Sequence, residues 1–348
     1  MSYFRPNVEA MAGYVPGEQP EPGSEVIKLN TNENPYPPSP RALAVLRDFD
    51  AERLRLYPHP TARVFRETAA SVLGVPVEWV LPGNGSDDLL TMLFRACAGP
   101  GRRVAYPVPT YTLYRTLAQI QDAEFVEVPF DEDFRLPADD LAAADAAVTF
   151  VANPNAPSGT GFATDALDDL ASRVSGLLAI DEAYVDFAES NALELARSRE
   201  NVVVLRSLSK GYSLAGLRLG LGVARPEILD GLIKVKDSYN VDAVACAVGA
   251  AAFEDQAYHR QCVEKVKASR AKLAAGLEAM GFRVWPSQAN FLLCRPPDGR
   301  AGEIYEALKQ QRILIRYFQQ PPLEDKLRIS VGTDEQHAVV LEQIGRLL

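Results

Sequence analysis

The chain has 348 residues, 47% of them hydrophobic, and a formal net charge of −10 at pH 7. This length and apolar content predict a globular protein with more than one hydrophobic core. The negative charge, in a sequence without a long cluster of lysines and arginines, argues against nucleic acid or an anionic membrane as a partner, although a few local arginines still suit an anionic small molecule.

The sequence indicates a cytoplasmic protein. Its N-terminus contains no apolar signal-peptide core, and the longest apolar stretch, Val244 to Phe253, is too short to span a bilayer. The four cysteines show neither C-x-x-C pairing nor histidine-flanked ligand spacing. We therefore expect free thiols in a reducing compartment and no metal site.

Three regions follow one another along the chain. Residues 1–44 are rich in Pro, Gly and Asn without a periodic apolar pattern, so we expect an arm that packs on the body. From 45 to 242, short apolar runs alternate with helical patterns, which predicts an α/β domain whose mainly parallel sheet carries functional groups at its carboxyl strand ends. Residues 243–348, with a helix expected over 260–280 and a strand over 313–316, predict a smaller α+β domain.

A glycine-rich turn in the first third of the chain opens directly into a helix. The run LPGNGSDD (81–88) is followed by apolar residues at helical spacing. Free backbone N–H groups at Gly85 and Ser86, together with the helix dipole, favour a bound phosphate. Ser86 or Asp87 acting as an ordinary N-cap is an equally good interpretation. The glycine spacing does not match the dinucleotide-binding motif G-x-G-x-x-G.

A carboxylate and a lysine follow two successive predicted strands. The apolar run at 177–180 ends on Asp181, and the next run, 201–206, precedes Lys210 within a segment rich in serine and glycine. This pair suits pyridoxal phosphate chemistry, in which a lysine forms a Schiff base with the cofactor aldehyde and an aspartate keeps the ring nitrogen protonated. Taken singly, each residue has an ordinary interpretation as a turn former or a solvated loop residue.

Seven motifs together resemble the histidinol-phosphate aminotransferase family of class I/II pyridoxal-phosphate aminotransferases. They span nearly the whole chain: LNTNENP (29–35), GNGSDD (83–88), NPNAPSG (153–159), DEAY (181–184), SLSK (207–210), GLRLG (216–220) and LRISVGT (327–333). The resemblance implies the aspartate-aminotransferase-like fold, which is fold type I of the pyridoxal-phosphate-dependent transferases, with a mainly parallel seven-stranded sheet covered by helices. It also implies a homodimer with shared active sites.

The same resemblance implies a reaction and assigns catalytic roles. L-Histidinol phosphate and 2-oxoglutarate would exchange an amino group by a ping-pong mechanism of histidine biosynthesis, giving imidazole-acetol phosphate and L-glutamate. Lys210 would bind the cofactor and then act as general acid and base. Asp181 would pair with the pyridinium nitrogen, and Tyr184 would hydrogen-bond the ring oxygen O3′. A core tyrosine at the end of a strand is the ordinary interpretation of Tyr184.

Further residues would hold the cofactor by resemblance. Tyr111 would stack on the ring, although an aromatic residue after a proline-rich loop is often core. Tyr57 would reach the phosphate of the neighbouring subunit. An ordinary turn residue is the alternative interpretation of Ser207. The phosphate itself would be bound by Arg218, through bidentate bonds, and by Ser207 and Ser209, with the backbone of Gly85 and Ser86 at the helix start. Asp87 also belongs to the predicted cofactor-binding set.

The sequence departs from the family pattern at Ala156. Relatives commonly carry an asparagine there, whose amide contacts O3′, and a threonine where this chain has Ser158. Alanine supplies no hydrogen bond, so we predict that Asn155 or Tyr184 alone takes over this contact. The sequence leaves open whether the bond before Pro157 is cis.

Substrate binding is assigned to two strands and to the arm. Arg328 matches an arginine that receives the anionic group of the substrate, and Arg316 is a plausible second, although surface charges on strands are the commoner role of arginines. Tyr14 and Asn32 lie on the arm, which closes over the substrate in relatives. The three histidines, His59, His259 and His337, match no catalytic template, and we expect them at the surface.

Three other functions stay open at this point. An aromatic amino acid aminotransferase is one, because it would use the same scaffold and the sequence does not identify the residues that would contact an imidazole side chain. A decarboxylase acting on threonine phosphate would use the same cofactor. A cofactor-binding domain of a transcription regulator would need a helix-turn-helix module and a basic face, and the first 40 residues provide neither.

Overall fold

A computed structural model describes residues 2–13, 17–21 and 23–348, so the predicted site residue Tyr14 lies outside the described residues. The helices are α1 Pro6–Glu9, α2 Pro40–Arg47, α3 Arg63–Leu73, α4 Ser86–Cys97, α5 Leu113–Ile120, α6 Ala138–Ala143, α7 Thr164–Arg173, α8 Leu193–Ser198, α9 Pro226–Ile233, α10 Ala243–Glu254, α11 Gln256–Ala279, α12 Ala301–Gln310 and α13 Asp334–Gly345. The strands are β1 Ile27–Lys28, β2 Val80–Gly83, β3 Val104–Val108, β4 Phe125–Pro129, β5 Val148–Ala152, β6 Leu177–Asp181, β7 Val202–Ser207, β8 Gly220–Val223, β9 Arg283–Val284, β10 Phe291–Arg295, β11 Ile313–Leu314, β12 Arg316–Tyr317 and β13 Leu327–Ser330.

A seven-stranded sheet with the order β2-β8-β7-β6-β5-β3-β4 forms the centre of the molecule. Strands β4, β3, β5, β6 and β7 pair in parallel, whereas β8 runs antiparallel to its neighbours β7 and β2. The central strands are continuous apolar runs, and all five residues of β5 are buried, as expected for a parallel sheet covered on both faces. The predicted α/β fold class with a mainly parallel sheet is confirmed.

Successive residues of the central strands point to opposite faces and build two separate cores. On β7, Val202 and Val204 pack into the core formed with α3 and α10, while Val203 and Leu205 pack into the core formed with α4 and α5. This alternation follows from the period of two along a strand. Because helices cover both faces, the polar strand ends are left at the edge of the sheet.

The C-terminal part of the chain builds a second, smaller layer. Strand β10 pairs antiparallel with β9 and β13, and β13 pairs antiparallel with β12. Helices α11, α12 and α13 pack on these strands around a separate core that also contains Leu29 from the arm. Strand β1 of the arm joins this layer by pairing in parallel with β11. We refer to residues 256–348 with β1 as the C-terminal unit, and to residues 40–254 as the large unit.

Two boundaries differ from the sequence-based expectation. Residues of α10, including Ala245 and Phe253, belong to the core of the large unit. We therefore place the division between the units near Asp255, rather than at 242/243. The strand expected over 313–316 is divided into β11 and β12, which pair with different strands, β1 and β13. Within the described residues, no helix combines the length and the apolar composition needed to cross a bilayer.

Candidate active site

A cavity of about 300 Å³ lies at the carboxyl ends of β5, β6 and β7, between the large unit and the C-terminal unit. A volume of this size accommodates a small organic molecule. Most of the residues that the sequence nominated line it. They are Asn32, Ser86, Asp87, Tyr111, Asp181, Tyr184, Ser207, Ser209, Lys210, Arg218, Arg316 and Arg328.

One end of the cavity is formed by the start of α4. This helix begins at Ser86, and its N-cap residue, Gly85, has no side chain with which to cap it. Gly85 adopts φ 78°, and a Cβ atom at that position would lie 2.6 Å from the Arg218 guanidinium. A Cβ atom on Gly220 of β8 would lie 2.6 Å from the backbone nitrogen of Ser86. Free helix N–H groups beside an arginine suit a phosphate. We call Gly85, Ser86, Ser207, Ser209 and Arg218 the anion cradle.

Asp87 orients two neighbours at the rim of the anion cradle. Its Oδ2 lies 3.1 Å from Nη2 of Arg218, and its Oδ1 accepts a hydrogen bond of 3.0 Å from the hydroxyl of Tyr111. Burial, and then the charge of Asp87, raise the pKa of Tyr111 far above its usual value. Tyr111 therefore stays a neutral donor, and its ring is held facing the cavity.

Asp181 is a buried carboxylate at the end of β6, with 4% of its surface exposed. Its Oδ2 accepts a 2.9 Å hydrogen bond from the Tyr114 hydroxyl, and its Oδ1 accepts one of 3.1 Å from the Ala183 backbone. Burial raises the pKa of Asp181 to about 6, and these two hydrogen bonds oppose the rise. A cationic ring nitrogen in the cavity would favour the ionised carboxylate.

Tyr114 is a site residue that sequence reasoning missed. It is fully buried on α5, three residues after Tyr111, so both rings lie on the same face of the polypeptide at the start of that helix. This i, i+3 spacing of two tyrosines after the predicted cofactor aromatic was the available signal. Burial and the charge of Asp181 hold the pKa of Tyr114 well above its usual value, so it remains a donor to Asp181.

Lys210 follows β7 and is fixed from both ends by the arm. Its Nζ donates a 3.2 Å hydrogen bond to the carbonyl oxygen of Thr31. Its own carbonyl oxygen accepts a 3.0 Å hydrogen bond from Nδ2 of Asn34. The amine lies 5.7 Å from the ring centre of Tyr184. The motif at 29–35 was recognised in the sequence, but the contacts of Thr31 and Asn34 with Lys210 were not.

Asn155 does not line the cavity, contrary to the prediction that it binds the cofactor. It is fully buried, and its Nδ2 donates to Ser158 Oγ at 2.9 Å and to the Pro109 carbonyl at 3.2 Å. Its Oδ1 accepts from the Thr110 hydroxyl at 2.8 Å. Because these loop contacts occupy the amide, the other predicted candidate, Tyr184, is the polar group near Ala156.

Two arginines line the opposite side of the cavity. Arg316 on β12 and Arg328 on β13 are directly opposed in the antiparallel ladder. Both guanidinium groups lie over the ring of Phe318, at 5.4 and 5.7 Å from its centre. Arg328 also donates a 2.9 Å hydrogen bond to the Asn30 carbonyl. Phe318, which sequence reasoning missed, thus contacts both of the cations that suit an anionic group.

The remaining nominated residues lie elsewhere. Tyr57 is 83% exposed and stacks on Tyr239 at a ring separation of 4.7 Å, outside the cavity. The expectation of surface histidines is wrong for two of the three. His259 packs on the ring of Tyr212, and His337 is buried, where its Nε2 accepts a 2.8 Å hydrogen bond from the Gly332 backbone. Burial lowers the pKa of His337 to about 4, so it is uncharged at neutral pH.

Pyridoxal 5′-phosphate fits this set of residues. The anion cradle has a helix that starts after Gly85 without a capping side chain, and the close approach of Arg218 to Gly85 puts a cation beside the helix start, which suits a phosphate. The buried carboxylate of Asp181 suits the ring nitrogen, and the amine of Lys210 suits the aldehyde. Peptide bonds before Pro154 and Pro157, in the loop that borders the cavity, are cis.

Comparisons with known proteins agree with this geometry. The family model for aminotransferase class I and II matches residues 24–344. The curated histidinol-phosphate aminotransferase 1 of Trichormus variabilis is 61% identical over 347 residues, covering 100% of this chain and 99% of that protein. The histidinol-phosphate aminotransferase of Citrifermentans bemidjiense is 48% identical, covering 100% and 99%.

A solved structure gives the same result for the fold. The crystal structure of histidinol-phosphate aminotransferase from Sinorhizobium meliloti in complex with pyridoxal-5'-phosphate superposes with a TM-score of 0.90 at 25% identity, covering 100% of this chain and 99% of that chain. The L-threonine-O-3-phosphate decarboxylase from Porphyromonas gingivalis shares the fold, with a TM-score of 0.82 at 21% identity over 92% and 99% of the two chains.

Proposed function

The chain belongs to the class I and II aminotransferases and, within them, to the histidinol-phosphate aminotransferase family, and we propose that it transfers the amino group of L-histidinol phosphate to 2-oxoglutarate. Its cofactor is pyridoxal 5′-phosphate. One observation carries the proposal: the Lys210 amine and the buried Asp181 carboxylate face the same cavity as the opposed pair Arg316 and Arg328. The cavity thus offers an amine and an acid for the cofactor and two cations for an anionic substrate.

The residues of this chain would hold the cofactor at three points. When bound, pyridoxal 5′-phosphate supplies an aldehyde that reacts with amines and a protonated ring that accepts an electron pair. The anion cradle would bind its phosphate, with Arg218 as the cationic member. Asp181, oriented by Tyr114, would hold the proton on the ring nitrogen, and Tyr111 would cover the ring.

Lys210 would move the proton during the transfer. Its Nζ atom lies in the cavity at the end of β7, where it would be available to the substrate. It would accept the proton from the substrate Cα and return it to C4′ of the cofactor, which makes Lys210 both general base and general acid. The hydrogen bond from Nζ to the Thr31 carbonyl keeps the amine at the cavity wall.

Arg316 and Arg328 would receive both substrates. The amino donor carries a phosphate and the acceptor carries a carboxylate, and each of these anions lies a short distance from its reacting carbon. Two guanidinium groups that both lie near the ring of Phe318 can form charge-assisted hydrogen bonds with either. A single anion site therefore serves both half-reactions.

The test is the visible spectrum of the cofactor-loaded protein before and after addition of histidinol phosphate, with phenylalanine as the parallel amine. We expect histidinol phosphate to bleach the absorbance band and 2-oxoglutarate to restore it, and Lys210→Ala to abolish both the band and turnover. A response to phenylalanine alone would indicate an aromatic amino acid aminotransferase. Retained transamination in Lys210→Ala would refute the proposed role of Lys210.

A homodimer with shared active sites belongs to the same proposal. Tyr57 is 83% exposed although it stacks on Tyr239, and exposed Leu54, Leu56 and Val64 surround it in sequence. An apolar surface of this kind suits a second copy of the chain. In such a dimer, Tyr57 would complete the anion cradle of the neighbouring subunit. We also propose a cytoplasmic location, which the free cysteines support.

Complementation between two defective subunits tests the shared site. Co-expressed Lys210→Ala and Tyr57→Ala chains would form mixed dimers in which one of the two sites has both residues intact. We expect the mixture to exceed the mean activity of the two parent variants. Sedimentation measures the mass of the assembly independently. A monomer in sedimentation, or a mixture with only the mean activity, would contradict the shared site.

A further inference from the structure

Three tyrosine hydroxyls, those of Tyr111 and Tyr184 in the cavity wall and that of the buried Tyr114 behind Asp181, differ in how their single hydrogen is used. Tyr111 donates to Asp87 at 3.0 Å, and Tyr114 donates to Asp181 at 2.9 Å. The hydroxyl of Tyr184 instead accepts a 3.0 Å hydrogen bond from Nδ2 of Asn32. A phenol hydroxyl has a single hydrogen to donate. Tyr111 and Tyr114 donate theirs to carboxylates of the protein, whereas the hydroxyl hydrogen of Tyr184 remains available to a group in the cavity.

Asn32 is held firmly in the orientation that this contact needs. It is 2% exposed and lies in the left-handed region, with φ 56°. Ser330 Oγ accepts from the Asn32 backbone N–H and donates to its Oδ1, both at 2.9 Å. Asn290 donates to its backbone carbonyl at 3.0 Å. Because the hydroxyl hydrogen of Ser330 is directed at Oδ1, the Nδ2 group is the one that faces Tyr184.

The apolar neighbours of Tyr184 fix its ring without competing for its hydroxyl. The edge of Phe291 meets the ring at 5.1 Å between centres and 84° between planes. Ala156 and Ala289 complete this small apolar cluster and have no polar side-chain atoms. Within the described residues, Asn32 therefore supplies the side-chain hydrogen bond that Tyr184 makes.

We propose that Asn32 is a positioning residue of the reaction, which donates its amide hydrogen to Tyr184 so that the tyrosine hydroxyl donates into the cavity, toward the ring oxygen of the cofactor. This inference rests on the proposed function and replaces the substrate-binding role suggested for Asn32 by its place on the arm. Asn32 acts through Tyr184, and Ser330 acts through Asn32. Hydrogen bonds from Ser330 to Asn32 and from Asn32 to Tyr184 thereby connect the C-terminal unit to the large unit along the cavity wall.

The test compares Asn32→Gly, Tyr184→Phe and the double variant. Glycine adopts φ near 56° without steric cost, so this substitution removes the amide without straining the backbone. Two quantities are measured: the absorbance spectrum of the cofactor-loaded protein without substrate, and kcat and KM for histidinol phosphate. Thermal unfolding of each variant shows that it is folded.

We expect Asn32→Gly to change the substrate-free spectrum in the same direction as Tyr184→Phe. Its kcat should fall about tenfold, as for the loss of one hydrogen bond, with KM changed less than about twofold. The double variant should match Tyr184→Phe alone, because two residues that act as one unit are not additive. An unchanged spectrum with a raised KM, or additive losses in the double variant, would overturn the inference.

Two further variants guard the result. Ser330→Ala leaves Asn32 in place but removes the hydroxyl that orients it, so we expect the same spectral change, smaller in size; no change in spectrum and kcat would contradict the proposal even if Asn32→Gly did not fold. Asn201→Ala is the matched control, because Asn201 donates to the Ala171 and Gly176 carbonyls, at 2.9 and 3.2 Å, away from the cavity. Asn201→Ala should lower stability without a spectral change.

Failure of the wild-type protein to respond to histidinol phosphate would count against the proposed function alone, since the spectral comparison uses no substrate.

Discussion

At the scale of single residues, Asp181 lies in the cavity wall, and its burial makes the charged form of the carboxyl group unfavourable. Its carboxylate is buried at the end of β6, and its charge is opposed by desolvation, which is why its pKa rises to about 6. The Tyr114 hydroxyl and the Ala183 N–H offset part of that penalty. Residues selected for cofactor binding often reduce the stability of the empty protein, and Asp181 fits this pattern.

Asp181→Asn should therefore stabilise the cofactor-free protein at neutral pH. The folded-state pKa near 6 exceeds the usual value of 3.8, so the stability that Asp181 contributes is present below pH 3.8 and is lost as the pH rises through 6. At pH 8 we expect the free energy of unfolding of the variant to exceed that of the wild type by roughly 1–3 kcal/mol, so that the variant unfolds at a higher temperature. This difference should shrink toward pH 4. Thermal unfolding of both cofactor-free proteins across this range measures it.

The same substitution should weaken cofactor binding. An amide cannot hold the proton on the ring nitrogen as a carboxylate does, so the affinity for pyridoxal 5′-phosphate should fall while stability rises. Equal unfolding temperatures at pH 8, or a stabilisation that does not depend on pH, would contradict the assigned desolvation penalty.

At the scale of elements, the anion cradle depends on the close packing of β8 against the start of α4. A Cβ atom on Gly220 would lie 2.6 Å from the Ser86 nitrogen, 2.7 Å from the Gly85 carbonyl carbon and 2.8 Å from the Arg206 carbonyl oxygen. These are backbone atoms, which cannot turn away as a flexible side chain can. The antiparallel strand β8 therefore sets the position of the helix N-terminus that faces the cavity.

Gly220→Ala should displace the start of α4 and weaken cofactor binding. We expect the dissociation constant of pyridoxal 5′-phosphate to rise by about fivefold to a hundredfold, as for an overpacked site that costs roughly 1–3 kcal/mol. Gly222→Ala on the same strand is the control, because its Cβ atom would meet side-chain atoms no closer than 3.5 Å. Titration of both variants with the cofactor measures the difference, and equal affinities would show that the contact does not position the cradle.

The division of one predicted strand into β11 and β12 is a second feature at this scale. Ile315 separates Leu314, which pairs with the arm, from Arg316, which pairs with Arg328. Like charges directly opposed on an antiparallel ladder are unfavourable unless a partner compensates them. The stacking of both guanidinium groups on Phe318 provides part of that compensation, and an anionic substrate would provide more.

At the scale of the whole molecule, the loop after β4 joins the large unit to the C-terminal unit. Arg283 pairs with Glu132 and with Asp133, the latter at 2.9 Å, and its guanidinium lies 4.5 Å from the ring centre of Trp285. The indole N–H of Trp285 donates to the Glu132 carbonyl at 2.9 Å. Phe318, whose ring lies under both cavity arginines, packs in the same cluster. The loop is therefore in contact with the wall that would bind substrate anions.

Arg283→Met should raise KM for both substrates without a large loss of stability. Partly exposed ion pairs contribute up to about 1 kcal/mol, which corresponds to a change of about fivefold in KM at most. Arg135→Met is the matched control, because Arg135 pairs with Asp131 and Asp133 within the loop and does not reach the C-terminal unit. Steady-state kinetics of both variants test this. An unchanged KM in Arg283→Met, or the same rise in both, would contradict the interpretation.

Sequence reasoning succeeded where local pattern decides the outcome. Apolar runs of strand length, alternating with helical patterns, predict a parallel sheet, and the carboxyl ends of parallel strands meet at one edge. Asp181 and Lys210 could therefore be brought together from their positions after two successive strands. Sequence reasoning failed at Asn155, because the side chain of a polar residue in a functional motif can instead form hydrogen bonds with nearby loop residues. It also failed at His259 and His337, whose burial depends on packing between elements.

By itself, the sequence determined the fold class and the placement of Asp181 and Lys210 at neighbouring strand ends, because periodicity and motif spacing are local properties of the chain. The family, and with it the cofactor, followed from the resemblance of the motifs to those of known aminotransferases. Only the tertiary structure decided which groups hold those residues in place. Asn32 reaches Tyr184 across 152 positions and Ser330 across 298, and Arg316 faces Arg328 only because β12 and β13 are antiparallel. Such contacts arise from the packing of distant segments, which leaves no periodic signal in the sequence.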